Sequence, residues 1–195
     1  MINQNKRSGA SGLLIAIIAL IVVALLMIVP TYNRLAGSRE NVNQAYAQVQ
    51  NVVQRRADLI PNLVNTVKGY TNHESETLTQ VTNARAGVQN AKNPADLANA
   101  NEELTRAIGD INVVVEAYPE LKADTQFVQL MDELAGSENR ISTERKNYNE
   151  AVQIYNTDIK KFPTNLIAKF TGYEAAEYFQ ADASAQEAPK VNFGN

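Results

Sequence analysis

Leu13 to Val29 reads LLIAIIALIVVALLMIV, seventeen apolar residues inside a stretch with no charge from Ser8 to Asn33. Thirteen of the seventeen are Leu, Ile or Val. At about 0.3–0.6 kcal/mol each, such residues favour bilayer insertion by roughly 4–8 kcal/mol. With Ala10 to Gly12 the run reaches about 20 residues, roughly 30 Å of helix, the depth of a hydrocarbon core. A helix that is apolar all round otherwise needs protein on every side, which a chain of 195 residues is poorly equipped to supply. Lys6 and Arg7 would suit a signal peptide. The run is longer than the usual h-region of about 7–15 residues, however, and Pro30, Thr31 and Tyr32 follow it in place of a small-residue cleavage site. With no cysteine in the chain, lipoprotein processing is excluded. The expectation is a short polar N-terminus (1–12) and an uncleaved single-pass anchor (13–30) whose partner is the lipid bilayer. Lys6, Arg7 and the amino terminus on one side nearly balance Arg34 and Arg39 on the other, so the positive-inside count leaves the side of the body open.

Beyond the anchor the apolar spacing alternates steps of three and four. Along the first helix the seam reads Tyr32, Leu35, Arg39, Val42, Tyr46, Val49, Val53, Arg56, Ile60, Leu63, Val67, Tyr70, Glu74, Thr77, Val81, Arg85 and Val88. A second run holds Leu97, Asn101, Leu104, Ile108, Ile111, Val115 and Tyr118. A third holds Phe127, Met131, Leu134, Glu138, Ile141, Arg145, Tyr148, Val152, Tyr155, Ile159 and Phe162. A 3.5-residue repeat sustained this long marks left-handed packing of long helices. The fold class that follows is all-α: a transmembrane helix, then an antiparallel bundle of three to four long helices over residues 31–179. Breaks fall at Asn93-Pro94, Tyr118-Pro119 and Phe162-Pro163. A short amphipathic stretch with Leu166, Ile167, Phe170 and Tyr173 comes next, and the Ala-, Ser-, Gln- and Pro-containing tail (180–195) reads as disordered.

Pro61 admits two readings. Asp58 could cap a new helix with Pro61 in its first turn. The heptad register, however, passes through Pro61 without slipping, and no loop sequence precedes it. The preferred expectation is one helix from about 31 to 92, kinked at Pro61 at about 3 kcal/mol and on the order of 90 Å long.

Composition removes much chemistry. A chain without cysteine and with one histidine, His73, has no zinc ribbon, thiol nucleophile or two-imidazole metal site. An HExxH motif would need histidine at position 77, which is Thr77. No phosphate loop and no Gly-x-Ser-x-Gly elbow occur. Without Lys6 and Arg7 the rest of the chain carries 16 basic against 21 acidic side chains, a poor match for nucleic acid. No catalytic residue, cofactor, metal or small-molecule substrate is expected.

Several strings stand out together: Arg55-Arg56-Ala57-Asp58-Leu59-Ile60-Pro61-Asn62-Leu63-Val64, Val67-Lys68-Gly69-Tyr70, His73-Glu74, Ser137-Glu138-Asn139-Arg140-Ile141, Tyr148-Asn149, Tyr155-Asn156, Phe162-Pro163, Gly172-Tyr173 and Tyr178-Phe179. Together they closely resemble the bacterial LemA family from the anchor to about Phe179, with Tyr46 and Thr71 where many relatives have Trp and Ala. The resemblance implies a single-pass protein of the bacterial inner membrane with an antiparallel helical bundle and no established enzymatic activity. It also implies a short N-terminus outside and a cytoplasmic body, and it carries over no catalytic residue.

The candidate residues are therefore candidates for bundle register or for interaction: Arg55, Arg56, Asp58, Pro61, Asn62, Glu138 and Arg145. Adjacent arginines project about 100° apart on a helix, so only Arg56 lies on the seam. Arg55 and Arg56 read either as a partner- or lipid-binding patch, or as one solvated side chain and one buried ion pair that sets register. Glu138 on the third run is the favoured partner of Arg56, since Glu74 lies five turns along the same helix. Asn62, Asn139, Asn149 and Asn156 flank seam positions and are expected to hydrogen-bond across helices. Tyr148, Tyr155 and Phe162, seven residues apart, read as a core stripe. The leading functional reading is a membrane-anchored interaction or scaffold protein that binds other envelope proteins or its own copies. A sensory module transmitting helix displacement is the alternative. A hydrolase would need a pocket gathering His73 with two carboxylates.

Overall fold

The computed structural model describes residues 7–71 and 74–180, and every regular element among them is helical. Helix α1, Arg7–Lys68, carries the apolar run and the first heptads without an interruption. It passes both Pro30 and Pro61, each of which withholds the N–H that the carbonyl four residues back would accept. Beside Pro30 the Thr31 hydroxyl donates to Met27 O at 2.6 Å.

The expected continuous helix to residue 92 is not found. Helix α1 stops at Lys68. The Gly69 N–H bonds back to Asn65 O and Thr66 O, and Tyr70 and Thr71 both donate to Val67 O, which tightens and closes the last turn. A Cβ at Gly69 would sit 3.3 Å from Thr66 O, closer than most side chains accept. Helix α2, Ser75–Asn90, then starts as a separate element. It buries Leu78, Val81, Ala84 and Val88, whereas Thr77 and Arg85 of the expected seam are only half-buried. Val81 and Val88 hold their expected places, while Leu78 and Ala84 are each one position away from the expected Thr77 and Arg85.

Helix α3, Pro94–Val115, is opened by Asn93, whose Oδ1 accepts the Asp96 N–H at 2.8 Å while its Nδ2 donates to the Asp96 carboxylate at 2.8 Å. Pro94 fits the first turn, where its missing N–H has no helical partner to lose. The spacing-predicted positions Leu97, Asn101, Leu104, Ile108, Ile111 and Val115 are all buried. With only Ala91 to Asn93 as a connection, α2 and α3 pair as an antiparallel hairpin. After the one-turn helix α4, Pro119–Lys122, comes α5, Thr125–Asp158. Asp124 Oδ1 accepts the Phe127 N–H at 2.8 Å and caps its start. Helix α6, Thr164–Thr171, ends at Gly172, whose φ of 75° is a left-handed conformation that suits glycine. Phe162, expected on the core stripe, lies beyond the end of α5 and is 77% exposed.

The chain forms two compact units. One comprises Met1–Val42 with Gln153–Ala176, and the other Asn43–Val152 with Glu177–Asn195. Within the second, Val49, Val53, Ile60, Leu63, Leu104, Ile111, Leu134 and Ile141 are at most 1% exposed. That is the core the heptads predict.

Candidate functional site

In the Asn43–Val152 unit, α1, α3 and α5 meet at Arg56. Its place on the seam leaves the residue 3% exposed. Its Nη1 reaches Asn101 Oδ1 at 3.1 Å and Thr105 Oγ1 at 2.8 Å on α3, and forms an ion pair with the Glu138 carboxylate on α5. The Thr105 hydroxyl sits over Asn101 O at 2.9 Å, which holds it at the node. Nε of Arg56 is buried without a partner. Burial pulls the Arg56 pKa down and the Glu138 carboxylate pushes it back up; a guanidinium starts so high that it stays charged. The pair is lopsided. Glu138 keeps 39% of its side chain in solvent while Arg56 keeps 4%.

One residue on, the proline finds its compensation. Pro61 leaves the Ala57 carbonyl without its helical donor, and Arg85 of α2 supplies one, Nε donating to Ala57 O at 3.0 Å. The same guanidinium lies 4.0 Å from Asp58, which also accepts from Gln54 Nε2 at 2.7 Å. Residues 56–61 thus tie α1 to α2, α3 and α5 through one buried charge and one freed carbonyl. Arg55 is exposed, as is Asn62, whose carbonyl accepts the Thr66 hydroxyl at 2.9 Å.

The asparagines divide. Asn62 and Asn139 are exposed. Asn149 and Asn156 are tied down, but to the non-helical backbone that follows α6 and not to another helix. Asn149 brackets Phe179, accepting its N–H at 2.9 Å and donating to its carbonyl at 3.0 Å, while the Tyr148 hydroxyl donates to Glu177 O at 2.8 Å. In the other unit Asn156 brackets Ala176 in the same way, at 2.8 and 2.9 Å, and the Tyr155 hydroxyl donates to Glu174 O at 2.7 Å. An amide side chain offers one acceptor and two donors, so it can replace a strand partner for one residue. Arg145 joins the first clamp. Its Nη2 donates to Gln180 O at 2.8 Å and its guanidinium lies over the Phe179 ring, which also meets the Tyr46 and Tyr148 rings. The Tyr-Asn pair repeated at a spacing of seven was the sequence signal for these clamps.

Two further features complete the second unit. Tyr70 donates to Asp124 Oδ2 at 2.8 Å. The Phe127 N–H and this phenol hold the Asp124 carboxyl below the usual carboxylate range. A groove of about 410 Å³, open to solvent, is lined by the apolar Val115, Phe127, Val128 and Met131 and by the charged Glu116, Lys122 and Asp132. Among the described residues no three His, Asp or Glu side chains are placed to hold a metal ion, and His73 lies outside the described residues.

A family model described as LemA family matches residues 45–193. Magnetosome protein MamQ 2 of Paramagnetospirillum magneticum is 25% identical over 210 residues, covering 92% of this chain and 77% of that protein. Protein LemA of Metamycoplasma hominis is 28% identical over 153 residues, covering 76% and 68%. Magnetosome protein MamQ of Magnetospirillum gryphiswaldense is 22% identical over 209 residues, covering 92% and 77%.

Proposed function

The chain belongs to the LemA family, and from that premise we propose that it is a membrane-anchored helical scaffold of the bacterial envelope, non-enzymatic, binding other membrane proteins or its own copies. The observation that carries this reading is α1, in which a segment of mean hydropathy 3.4 continues as the same helix into the heptad seam. A bilayer-spanning helix of this kind needs about 20 apolar residues, and the remaining turns of α1 supply Arg56 to the node and the Ala57 carbonyl to Arg85. Of the polar residues singled out by the sequence, Arg56 with Glu138 and Asp58 with Arg85 join helix to helix, and such ties support a rigid displayed surface. The relatives are named as magnetosome proteins or as LemA and not for a reaction.

On this reading residues 13–30 lie in the inner membrane and the body faces the cytoplasm. The test is chemical cross-linking in intact membranes followed by purification of the full-length chain and mass spectrometry of its adducts. The expected result is a reproducible adduct, with a second protein or with itself, that disappears when the bundle is unfolded by urea before cross-linking. A chain that cross-links to nothing above a control anchor would overturn the proposal. Protease accessibility in intact cells reports the side of the body, and cleavage from outside would overturn the cytoplasmic placement.

A further inference from the structure

Helix α6 buries one face and leaves another apolar face bare. Thr164, Ile167 and Ala168 are buried. On the opposite side Leu166 is 48% exposed and Phe170 91% exposed, one turn apart, with Phe162 at 77% just before the helix. Two aromatic rings and a leucine held in water at spacings of four residues are unusual on a helix of eight residues, whose packing already uses the other side. Lys160, Lys161 and Lys169 are exposed around them. Asp158, four residues before Phe162, is engaged by Lys161 at 3.4 Å and by Arg34 at 3.9 Å.

The height of this patch is fixed by the part of α1 up to Val42, which lies in the same compact unit. Arg34 Nη2 donates to Thr164 Oγ1 at 3.1 Å, and the Tyr32 and Tyr173 rings meet edge to face at 6.2 Å. Arg34 follows Val29, the last residue of the apolar run, by five positions. At about 1.5 Å per residue, the start of α6 lies roughly 7 Å beyond the end of the run. Headgroups occupy about 5–7 Å on each side of the hydrocarbon. The other end of α6, near Tyr173, sits at the level of Tyr32, closer still to the apolar segment.

We infer that α6 is an interfacial helix that lays Phe162, Leu166 and Phe170 into the bilayer surface beside the anchor, with Lys160, Lys161 and Lys169 reaching anionic headgroups. An apolar face flanked by lysines at headgroup depth is the pattern of helices that lie in the membrane plane, and lysine stems let the charge stay in the polar layer while the methylenes follow the apolar face. The anchor thus has a second foothold, and the base of the chain is held at two places. This inference rests on the reading of residues 13–29 as a membrane span.

The chain has no tryptophan, so a single introduced one is an unambiguous reporter. Full-length Phe170→Trp is reconstituted into vesicles of phosphatidylcholine and phosphatidylglycerol in equal parts, with brominated acyl chains as quencher. Ile154→Trp reports an exposed position on α5 (Ile154 is 62% exposed) beside Tyr155, whose ring Arg39 covers at 5.4 Å, ten residues past Val29 and clear of the headgroup layer. Leu20→Trp, in the middle of the apolar run, reports the anchor. The expected result is strong quenching at 20 and 170, blue-shifted emission at 170, and an unquenched 154. Quenching at 20 with none at 170 overturns the interfacial helix and leaves the anchor standing, while an unquenched 20 removes the anchor itself. A blue shift at 170 that grows with protein density and resists brominated lipid assigns the face to a second copy and overturns the proposal. Replacing Lys160, Lys161 and Lys169 together by Gln in the Phe170→Trp chain is expected to weaken quenching in anionic vesicles. No change on that replacement overturns the part given to headgroups.

Discussion

Removing Glu138 should destabilise the protein more than removing Arg56, because the two members of the pair are buried so unequally. Glu138→Ala leaves a guanidinium that is 4% exposed with no counter-ion. Stranding a buried charge in this way costs about 3–5 kcal/mol. Arg56→Ala leaves a carboxylate that is already 39% exposed and can rehydrate. What is lost then is the packing of two methylenes, about 1.6 kcal/mol, and the partner of Asn101 Oδ1, an orphaned buried acceptor worth about 1–3 kcal/mol. Relief of the guanidinium's desolvation offsets part of this, leaving about 2–3 kcal/mol. Arg56→Met combined with Glu138→Leu exchanges the pair for apolar volume and should return to within about 1 kcal/mol of the parent. Arg55→Ala, on an exposed side chain, should change stability by about 0.5 kcal/mol or less. The assay is urea unfolding of the detergent-solubilised chain followed by circular dichroism, with ΔG compared at constant m. If Arg55→Ala and Arg56→Ala are equally harmless to folding while both abolish cross-linked adducts, the double arginine is a binding patch and the structural account of Arg56 is wrong.

Four other outcomes follow from named contacts. Arg85→Ala should cost about 1–2 kcal/mol in the parent, where it orphans Ala57 O, and clearly less beside Pro61→Ala, where a helical N–H returns; equal losses in both backgrounds would refute the coupling. The depressed Asp124 carboxyl binds its proton more weakly folded than unfolded, so its contribution is present above the ordinary aspartate pKa and fades as pH falls through the lower folded value. Asp124→Asn should therefore flatten the acid limb of the stability curve, and an unchanged limb would contradict the cap. Asn149→Ala should cost about 1–2 kcal/mol and speed proteolysis near Phe179, since it removes both bonds to that residue; an unchanged cleavage rate would show that the clamp does not hold the segment. The full-length chain should stay with membranes in alkaline carbonate and keep its original N-terminus, and release, or a start near residue 31, would refute the uncleaved anchor.

Periodicity is a local property, and it reads faithfully only while the helix lasts. Val42 to Val67, with the half-buried Tyr46 as the exception, and Leu97 to Val115 are buried where a 3.5-residue count puts them. The expected continuity failed at Gly69, although Lys68-Gly69 is itself a helix-ending signature of a basic last turn followed by glycine. Beyond it the count still placed Val81 and Val88 correctly, and missed Leu78 and Ala84 by one position each, at Thr77 and Arg85. Arg56 with Glu138 was legible, because two charges interrupting apolar seams have few ways to avoid burial unpaired. The Arg85 contact was not, since it depends on a carbonyl, which every residue has and which only Pro61 sets free. The clamps were misread for a related reason. Asn149 and Asn156 bind main chain, and main chain carries no sequence label.

A heptad seam has a hidden degeneracy: sliding one helix by seven residues against another sets apolar side chains against apolar side chains again. Every interior peptide group of an unbroken helix looks alike, so the backbone does nothing to choose among these positions. Pro61 removes that translational symmetry. It marks one carbonyl on a helix of 62 residues as an acceptor in need of a donor, and Arg85 is the side chain that answers it. A slipped hairpin would offer Arg85 a carbonyl already bonded within α1 and leave Ala57 O dry. The proline thus acts as an origin from which the packing of α2 on α1 is counted, and the bond from Arg85 to the freed carbonyl is what separates the native register from its nearest copies.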